Sequence, residues 1–297
     1  MRHAILGAGG VGGLVGAALA KSGESVTVVL RPEALKNYPA ELSLESPFGS
    51  FSVSVERVAQ VTQPFDVLWI AVKATHLNEA LRSVANAEQI GAIVPLLNGI
   101  DHVAMLRSRF GHDKVVPATI GVESERAAPG KIIQRSKFVR LTVSSIGESR
   151  LTSTLEKLRG FGFTCQCSPD ELKMLWNKLV ILSPCALTTT ASGLTMGEVY
   201  SDPVWRERII AAMHETCAVA TATGTAMDPA NFIRFFEGLP PVARSSMQKD
   251  VAAGNPPELD GIAGPILRRA QEHGIEVPVT RELAEMIRGK TTAANRA

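Results

Sequence analysis

The stretch Gly7-Ala8-Gly9-Gly10-Val11-Gly12 decides how the chain is read. A short strand pattern, His3 to Leu6, runs into it, and a helical pattern, Val11 to Lys21, runs out. Strand, Gly-x-Gly-x-x-Gly turn and helix is the geometry a dinucleotide requires. The first glycine permits the turn, the second lets backbone approach a pyrophosphate, and the third lets the helix pack on the strand. Free N–H groups at the helix start then face the phosphates. Two blander readings compete: a packing turn of small residues, and a secretory leader built on Arg2, His3 and Ala18-Leu19-Ala20. Glycines at 7, 9, 10, 12, 13 and 16 make a poor leader helix, and Ser25 to Leu30 supplies the second buried strand of a βαβ unit.

The end of that second strand selects the dinucleotide. An NAD site places Asp or Glu there to accept from the ribose hydroxyls. Here Leu30 is followed by Arg31, whose guanidinium pairs with a 2′-phosphate that a carboxylate would repel. Glu33 lies two residues past the strand, beyond Pro32. The expected cofactor is NADP(H), with an exposed strand-end arginine as the plain alternative.

A chain of 297 residues suits two domains. Its 45% hydrophobic and 20% charged content is that of a globular protein, and a net charge of +2 argues against a nucleic-acid partner. No other segment resembles a membrane span. Cys165, Cys167, Cys185 and Cys217 show no Cys-x-x-Cys spacing and read as reduced thiols of a cytoplasmic protein. The six histidines are scattered, so no metal site is expected.

Strand and helix patterns alternate through the first half. Leu42 to Glu45 and Phe51 to Val55 suggest an inserted hairpin; Asp66 to Val72 is a buried strand followed by a helix from about Leu77. Further strands are expected at Ala92 to Leu97, Lys114 to Ala118, Ile132-Ile133, Phe138 to Val143 and Phe163 to Cys167, with a helix near Leu151 to Arg159. This is an α/β class domain, a Rossmann-type, doubly wound, mostly parallel sheet over residues 1–167. Residues 168–297 read as all-α. Ser168 is expected to cap the first helix, with Pro169 at its first position and Glu171 at its third, and Leu172, Leu175, Leu179 and Leu182 form an apolar stripe along it. Pro203 to roughly Thr223 is a second long helix, with more at 228–237, 243–253, 258–273 and 279–288. The cleft of the sheet against this helical half is the expected active site.

Adding hydride to a carbonyl creates alkoxide character, so an acid must supply a proton. Lys178 lies beside the apolar stripe; partly desolvated in a cleft it would donate near neutral pH, whereas by itself it reads as an exposed helix lysine. Asn98 follows a strand end and carries an amide that both donates and accepts, or is a left-handed turn residue before Gly99. Ser246 is a donor to a carboxylate or a helix cap; Glu258 orients Lys178 or merely opens a helix. Lys73 adds charge for a phosphate or is a solvated strand-end lysine.

Taken in order and spacing, these residues resemble the ketopantoate reductase (2-dehydropantoate 2-reductase) family over the whole chain. The resemblance is carried by the glycine turn, Arg31, Val72-Lys73, Asn98-Gly99, Trp176-x-Lys178, Ser245-Ser246-Met247-x-x-Asp250, Glu258-Leu259-Asp260 and Gly274-Ile275-x-Val277-Pro278. It implies reduction of 2-dehydropantoate to pantoate by NADPH in pantothenate synthesis. In that family the lysine matching Lys178 is the general acid, Asn98 matches a residue contacting lysine and nicotinamide, and Ser246 matches a substrate-holding serine. Glu258 matches a glutamate supporting the reacting hydroxyl or the cofactor, and Lys73 a cofactor-contacting lysine. Gly7, Ala8, Gly9, Gly10, Val11, Gly12 and Arg31 complete the implied cofactor site.

The departures from the family are local. Its asparagines four and eight residues after the lysine correspond to Leu182 and Ala186, and another to Met196. Pro184 is expected to shift the local register and bring Ser183 inward. A pocket poorer in donors discriminates less well for a polar substrate. Two alternatives therefore stay open: a reductase of the same family for a more apolar ketone or imine, and an NADP(H)-binding paralogue without turnover. The expected partner is a small-molecule 2-oxo acid, with neither nucleic acid nor membrane; a homodimer remains open.

Overall fold

The structure is a computed structural model that describes residues 1–294. The chain divides into two units, Met1–Met174 and Leu175–Ala297. The first opens with β1 (Arg2–Leu6), α1 (Gly10–Lys21), β2 (Ser25–Val29) and the one-turn α2 (Pro32–Leu35). The antiparallel hairpin of β3 (Glu41–Ser46) and β4 (Gly49–Ser54) follows, then β5 (Glu56–Val58), β6 (Phe65–Ile70), α3 (Leu77–Ala80), β7 (Ile90–Pro95) and α4 (Asp101–Phe110). The unit continues through β8 (Ala118–Gly121), β9 (Ser124–Ala128), β10 (Lys131–Gln134), β11 (Arg140–Ser144), α5 (Glu148–Phe161) and β12 (Thr164–Ser168).

Five strands lie parallel in the order β5-β2-β1-β6-β7. Successive side chains of a strand point to opposite faces, and helices cover both faces of this sheet. Val67 and Trp69 of β6 join the layer of Leu14, Leu19, Leu151 and Leu155, from α1 and α5. Leu68 and Ile70 join the layer of Leu77 and Leu106, from α3 and α4. A strand buried on both sides has no polar face, which is why residues 67–70 read as an unbroken apolar run. The doubly wound Rossmann-type arrangement is the one expected. Residues 2–21, weighed above as a leader, are its first strand and helix.

The later strands depart from expectation. Lys114 to Ala118 does not extend the parallel sheet: Val115 meets β7 through a single bridge to Ile93. Pro117 cannot donate to a ladder, and the chain turns away into β8. There β8 pairs antiparallel with β11, and β11 parallel with β12, in a separate sheet. A second small sheet, β4-β3-β10-β9, contributes Leu42, Leu44 and Ile132 to the α1 layer. The helix expected from Leu77 is a single turn between tight turns at 74–76 and 81–83, yet Leu77 and Leu81 are buried.

The helix α6 (Glu171–Ser192) leads into the second unit. Then come α7 (Met196–Ser201), α8 (Pro203–Ala222), α9 (Pro229–Glu237), α10 (Ser246–Ala252), α11 (Leu259–Ile262), α12 (Gly264–His273) and α13 (Pro278–Ala294). The first unit reaches Met174, seven residues past the expected boundary at Cys167, because the opening turn of α6 is tied to it. Arg107 donates to both carboxylate oxygens of Glu171 at 2.5 and 2.8 Å, and Ser144 donates at 3.2 Å. The expected cap is also displaced. Ser168 ends β12, and Asp170 caps α6 by accepting from the Lys173 N–H at 2.9 Å. Leu172, placed in the stripe above, is 39% exposed in that first turn, whereas Leu175 and Leu179 are buried. Pro265, which lacks an N–H, starts a new helix and divides the expected 258–273 segment into α11 and α12. Ala186, Leu187, Ala212, Met247, Leu283 and Ile287 form the centre of the unit. All four cysteines are free thiols.

Candidate active site

In a parallel sheet every strand ends at the same edge, and the carboxyl edge is where ligands bind. Arg31 follows β2, the glycine turn follows β1, Lys73 follows β6 and Asn98 follows β7. Because β2, β1, β6 and β7 are neighbours in that order, these four features form one row along the edge.

The turn fits a dinucleotide for steric reasons visible at each glycine. Gly7 has φ +99°, and a Cβ there would lie 2.7 Å from the Val72 backbone nitrogen. At Gly12 a Cβ would lie 2.1 Å from the Gly7 carbonyl oxygen and 3.1 Å from Ile5, so α1 is packed onto β1 by the missing side chain. Gly9 is different: a Cβ there would meet nothing within 4 Å. Open space over backbone at the second glycine is what approach of a pyrophosphate needs. Gly9 also stands at the N-cap of α1, which has no side-chain cap and no acidic residue in its first turn, so its N–H groups suit an anion. Ala8 is buried, Val11 packs against the α1 core layer, and Gly10 lies under β9, where Ser124 donates to its carbonyl at 2.9 Å.

Arg31 is well exposed and lies 3.3 Å from an equally exposed Glu33. Such a pair contributes little and is readily exchanged for a phosphate. Gly99 takes the left-handed conformation at φ +87°, and no non-glycine residue among those described has positive φ. Asn98 is therefore not the left-handed turn residue considered above. Its side chain, like that of Lys73, is half-buried.

In the second unit, Lys178 is half-buried on α6. Burial draws its ammonium down from 10.5 to about 8, and the opposing pull of Glu258 keeps it from falling further. Glu258 is 7% exposed and precedes α11. The structure thus brings Lys178 and Glu258 into electrostatic contact. Ser245, not Ser246, is the cap of α10: its hydroxyl accepts from the Gln248 N–H at 3.1 Å and lies 2.9 Å from the Thr189 hydroxyl of α6. Ser246 is exposed in the first turn, with its hydroxyl not spent on the cap.

The three apolar departures have distinct surroundings. Ala186 is fully buried in the core, Leu182 packs on that core half-buried, and Met196 sits 3.5 Å from the Cys185 sulfur. Pro184 is accommodated inside α6, and the Ser183 hydroxyl is buried without a hydrogen-bond partner. Sequence reasoning missed Ser124 and the Thr189–Ser245 pair: Ser124 lies in an exposed polar strand with no distinguishing pattern, and the pair joins residues 56 positions apart.

Among the described residues no helix is long and apolar enough to cross a membrane, and no group of three or more His, Cys, Asp or Glu is placed to hold a metal. The first unit thus has a glycine turn open to a dinucleotide at a sheet edge, and the second a desolvated lysine within the electrostatic reach of a carboxylate. The protein is of the nicotinamide-dependent oxidoreductase class. The family profile "Ketopantoate reductase PanE/ApbA" matches residues 3–147, and "Ketopantoate reductase PanE/ApbA C terminal" matches residues 170–291. The chain belongs to the ketopantoate reductase family, NADP-dependent oxidoreductases that act on CH–OH groups and reduce 2-oxo acids.

It is 28% identical over 302 residues to the 2-dehydropantoate 2-reductase of Caulobacter vibrioides, covering 96% of this chain and 97% of that one. The crystal structure of a PanE/ApbA family ketopantoate reductase from Ralstonia eutropha JMP134 superposes with a TM-score of 0.88 at 26% identity, covering 99% and 100% of the two chains. A ternary structure of D-mandelate dehydrogenase with NADH and anilino(oxo)acetate shares the fold, with a TM-score of 0.89 at 19% identity and the same coverage.

Proposed function

We propose that this chain reduces 2-dehydropantoate to pantoate with NADPH, and that Lys178 is the proton donor. The observation that carries the reading is the lysine itself: held partly out of water beside Glu258, it titrates near 8 and is able to give up a proton close to neutral pH. NADPH supplies the hydride to the ketone carbon. Lys178 gives its proton to the carbonyl oxygen, leaving a hydroxyl on the product and a neutral amine that solvent reprotonates. Glu258 favours the charged form of the lysine before transfer. Ser246 is assigned to the substrate carboxylate, Asn98 and Lys73 to the nicotinamide and phosphate parts of the cofactor, and Arg31 to the 2′-phosphate. The domain roles follow: residues 1–167 bind NADP(H), and residues 168–297 carry substrate recognition and proton transfer.

A second reading, reduction of a more apolar ketone or imine, is favoured by Leu182 and Met196. Steady-state NADPH oxidation against a panel of 2-oxo acids separates the two. The first predicts the highest kcat/KM for 2-dehydropantoate, and a bulkier, wholly apolar acid with a higher value would replace it.

A further inference from the structure

The face of α6 that carries Lys178 continues into a patch the proposed mechanism does not use. Seven residues along a helix turn through about 700°, within 20° of two full turns, so Cys185 lies on nearly the same line as Lys178 and about 10.5 Å further along. Leu182 stands between them, one turn from the lysine. Met196 of α7 closes on Cys185 at 3.5 Å between sulfurs. Tyr200, one turn after Met196 on the same side of α7, lies near enough to the neutral Cys185 thiol that ionising either group would disfavour the other. Leu182, Cys185 and Met196 are apolar or nearly so, and the Tyr200 hydroxyl is buried with no hydrogen-bond partner.

A buried hydroxyl left without a hydrogen-bond partner is destabilising. Polar groups of this kind are retained where something else satisfies them. Burial, with Glu237 adding and Arg206 opposing, pushes the phenol up to about 12, so it is a proton-bearing donor throughout the physiological range. The patch is thus an ammonium at one end, a phenol at the other and an apolar stretch between. A small 2-oxo acid with a branched carbon chain and a distal hydroxyl has the matching order of groups.

We propose that Tyr200 is a specificity-determining residue whose hydroxyl donates to the distal hydroxyl of the substrate. This rests on the 2-oxo acid reading of the site and deepens it. The test compares 2-dehydropantoate with 3,3-dimethyl-2-oxobutanoate, which has the same carbon skeleton and lacks only the terminal hydroxyl, on the full-length wild type and Tyr200→Phe. The wild type is expected to favour the hydroxylated acid at least about tenfold in kcat/KM, a ratio that one buried hydrogen bond to a substrate hydroxyl readily supplies. Tyr200→Phe is expected to lower kcat/KM for 2-dehydropantoate about tenfold and to leave the deoxy acid within about twofold.

A wild-type ratio near one overturns the proposal whatever the variant does. So does a parallel fall on both substrates, the signature of a packing role. Failure of the wild type to reduce either acid refutes the function reading and this proposal together, whereas reduction of both without discrimination refutes only the role of Tyr200.

Discussion

Replacing Gly9 and Gly12 one at a time by alanine separates cofactor binding from folding within a single turn. At Gly12 the added methyl would fall 2.1 Å from the Gly7 carbonyl oxygen and 3.0 Å from the Ala71 methyl. The nearest atom is backbone, so α1 must move off β1; the cost is roughly 3 kcal/mol, the upper part of the range for overpacking. At Gly9 the methyl meets nothing within 4 Å and the backbone φ is −80°, which alanine adopts freely. The weaker N-cap and the stiffer unfolded chain nearly offset each other, leaving stability within about 1 kcal/mol of wild type. In the proposed cofactor site that methyl stands where the pyrophosphate would approach, and an affinity loss of at least about tenfold is expected.

Denaturant melts with and without NADPH read both effects. At a concentration 100 times the wild-type Kd, NADPH stabilises the wild type by about 2.7 kcal/mol, and a tenfold weaker Gly9→Ala gains only about 1.4 kcal/mol. Gly12→Ala should melt early even without ligand. A Gly9→Ala protein that gains as much from NADPH as the wild type would refute the cradle.

Arg31→Asp should reverse the cofactor preference, lowering NADPH affinity by about tenfold or more through repulsion of the 2′-phosphate while sparing NADH; titration of both nucleotides checks it. Asp170→Ala removes the carboxylate that caps α6 and should cost about 1 kcal/mol in a urea melt. His3 is fully buried and accepts from the Trp69 indole N–H at 3.3 Å, and burial lowers its pKa from 6.5 to about 4. Between those values the unfolded chain binds a proton that the folded chain does not. Stability is therefore complete above pH 6.5 and falls as pH drops towards 4, by about 2 kcal/mol at pH 5. Urea midpoints at pH 7 and 5, for wild type and His3→Gln, should show that loss reduced in the variant.

What could be read in the sequence was local or periodic. The first βαβ unit is announced within thirty residues, because a strand, a sterically obligatory turn and a helix leave their marks in consecutive positions. The twice-covered strand β6 is equally plain. What could not be read depended on distant partners. Lys114 to Ala118 has a strand pattern, yet Pro117 cuts its ladder after one bridge. Ser168 before Pro169 reads as the cap of α6, yet β12 claims Ser168 and Asp170 caps the helix instead. Asn98-Gly99 looked ambiguous until Gly99 took the positive φ. In the second unit the lysine was legible as a lysine, but its desolvation belongs to packing around α6 and its partner Glu258 lies eighty residues away.

The pH dependence of kcat for NADPH oxidation, measured on wild type and Lys178→Ala with cofactor affinity determined alongside, tests the proton donor most directly. Wild-type reduction should hold steady below pH 8 and decline above it as the ammonium is lost. The alanine variant should bind NADPH normally, run about 100- to 10,000-fold slower, and lose that basic limb. A variant that turns over at the wild-type rate, with its decline near pH 8 intact, would contradict the account.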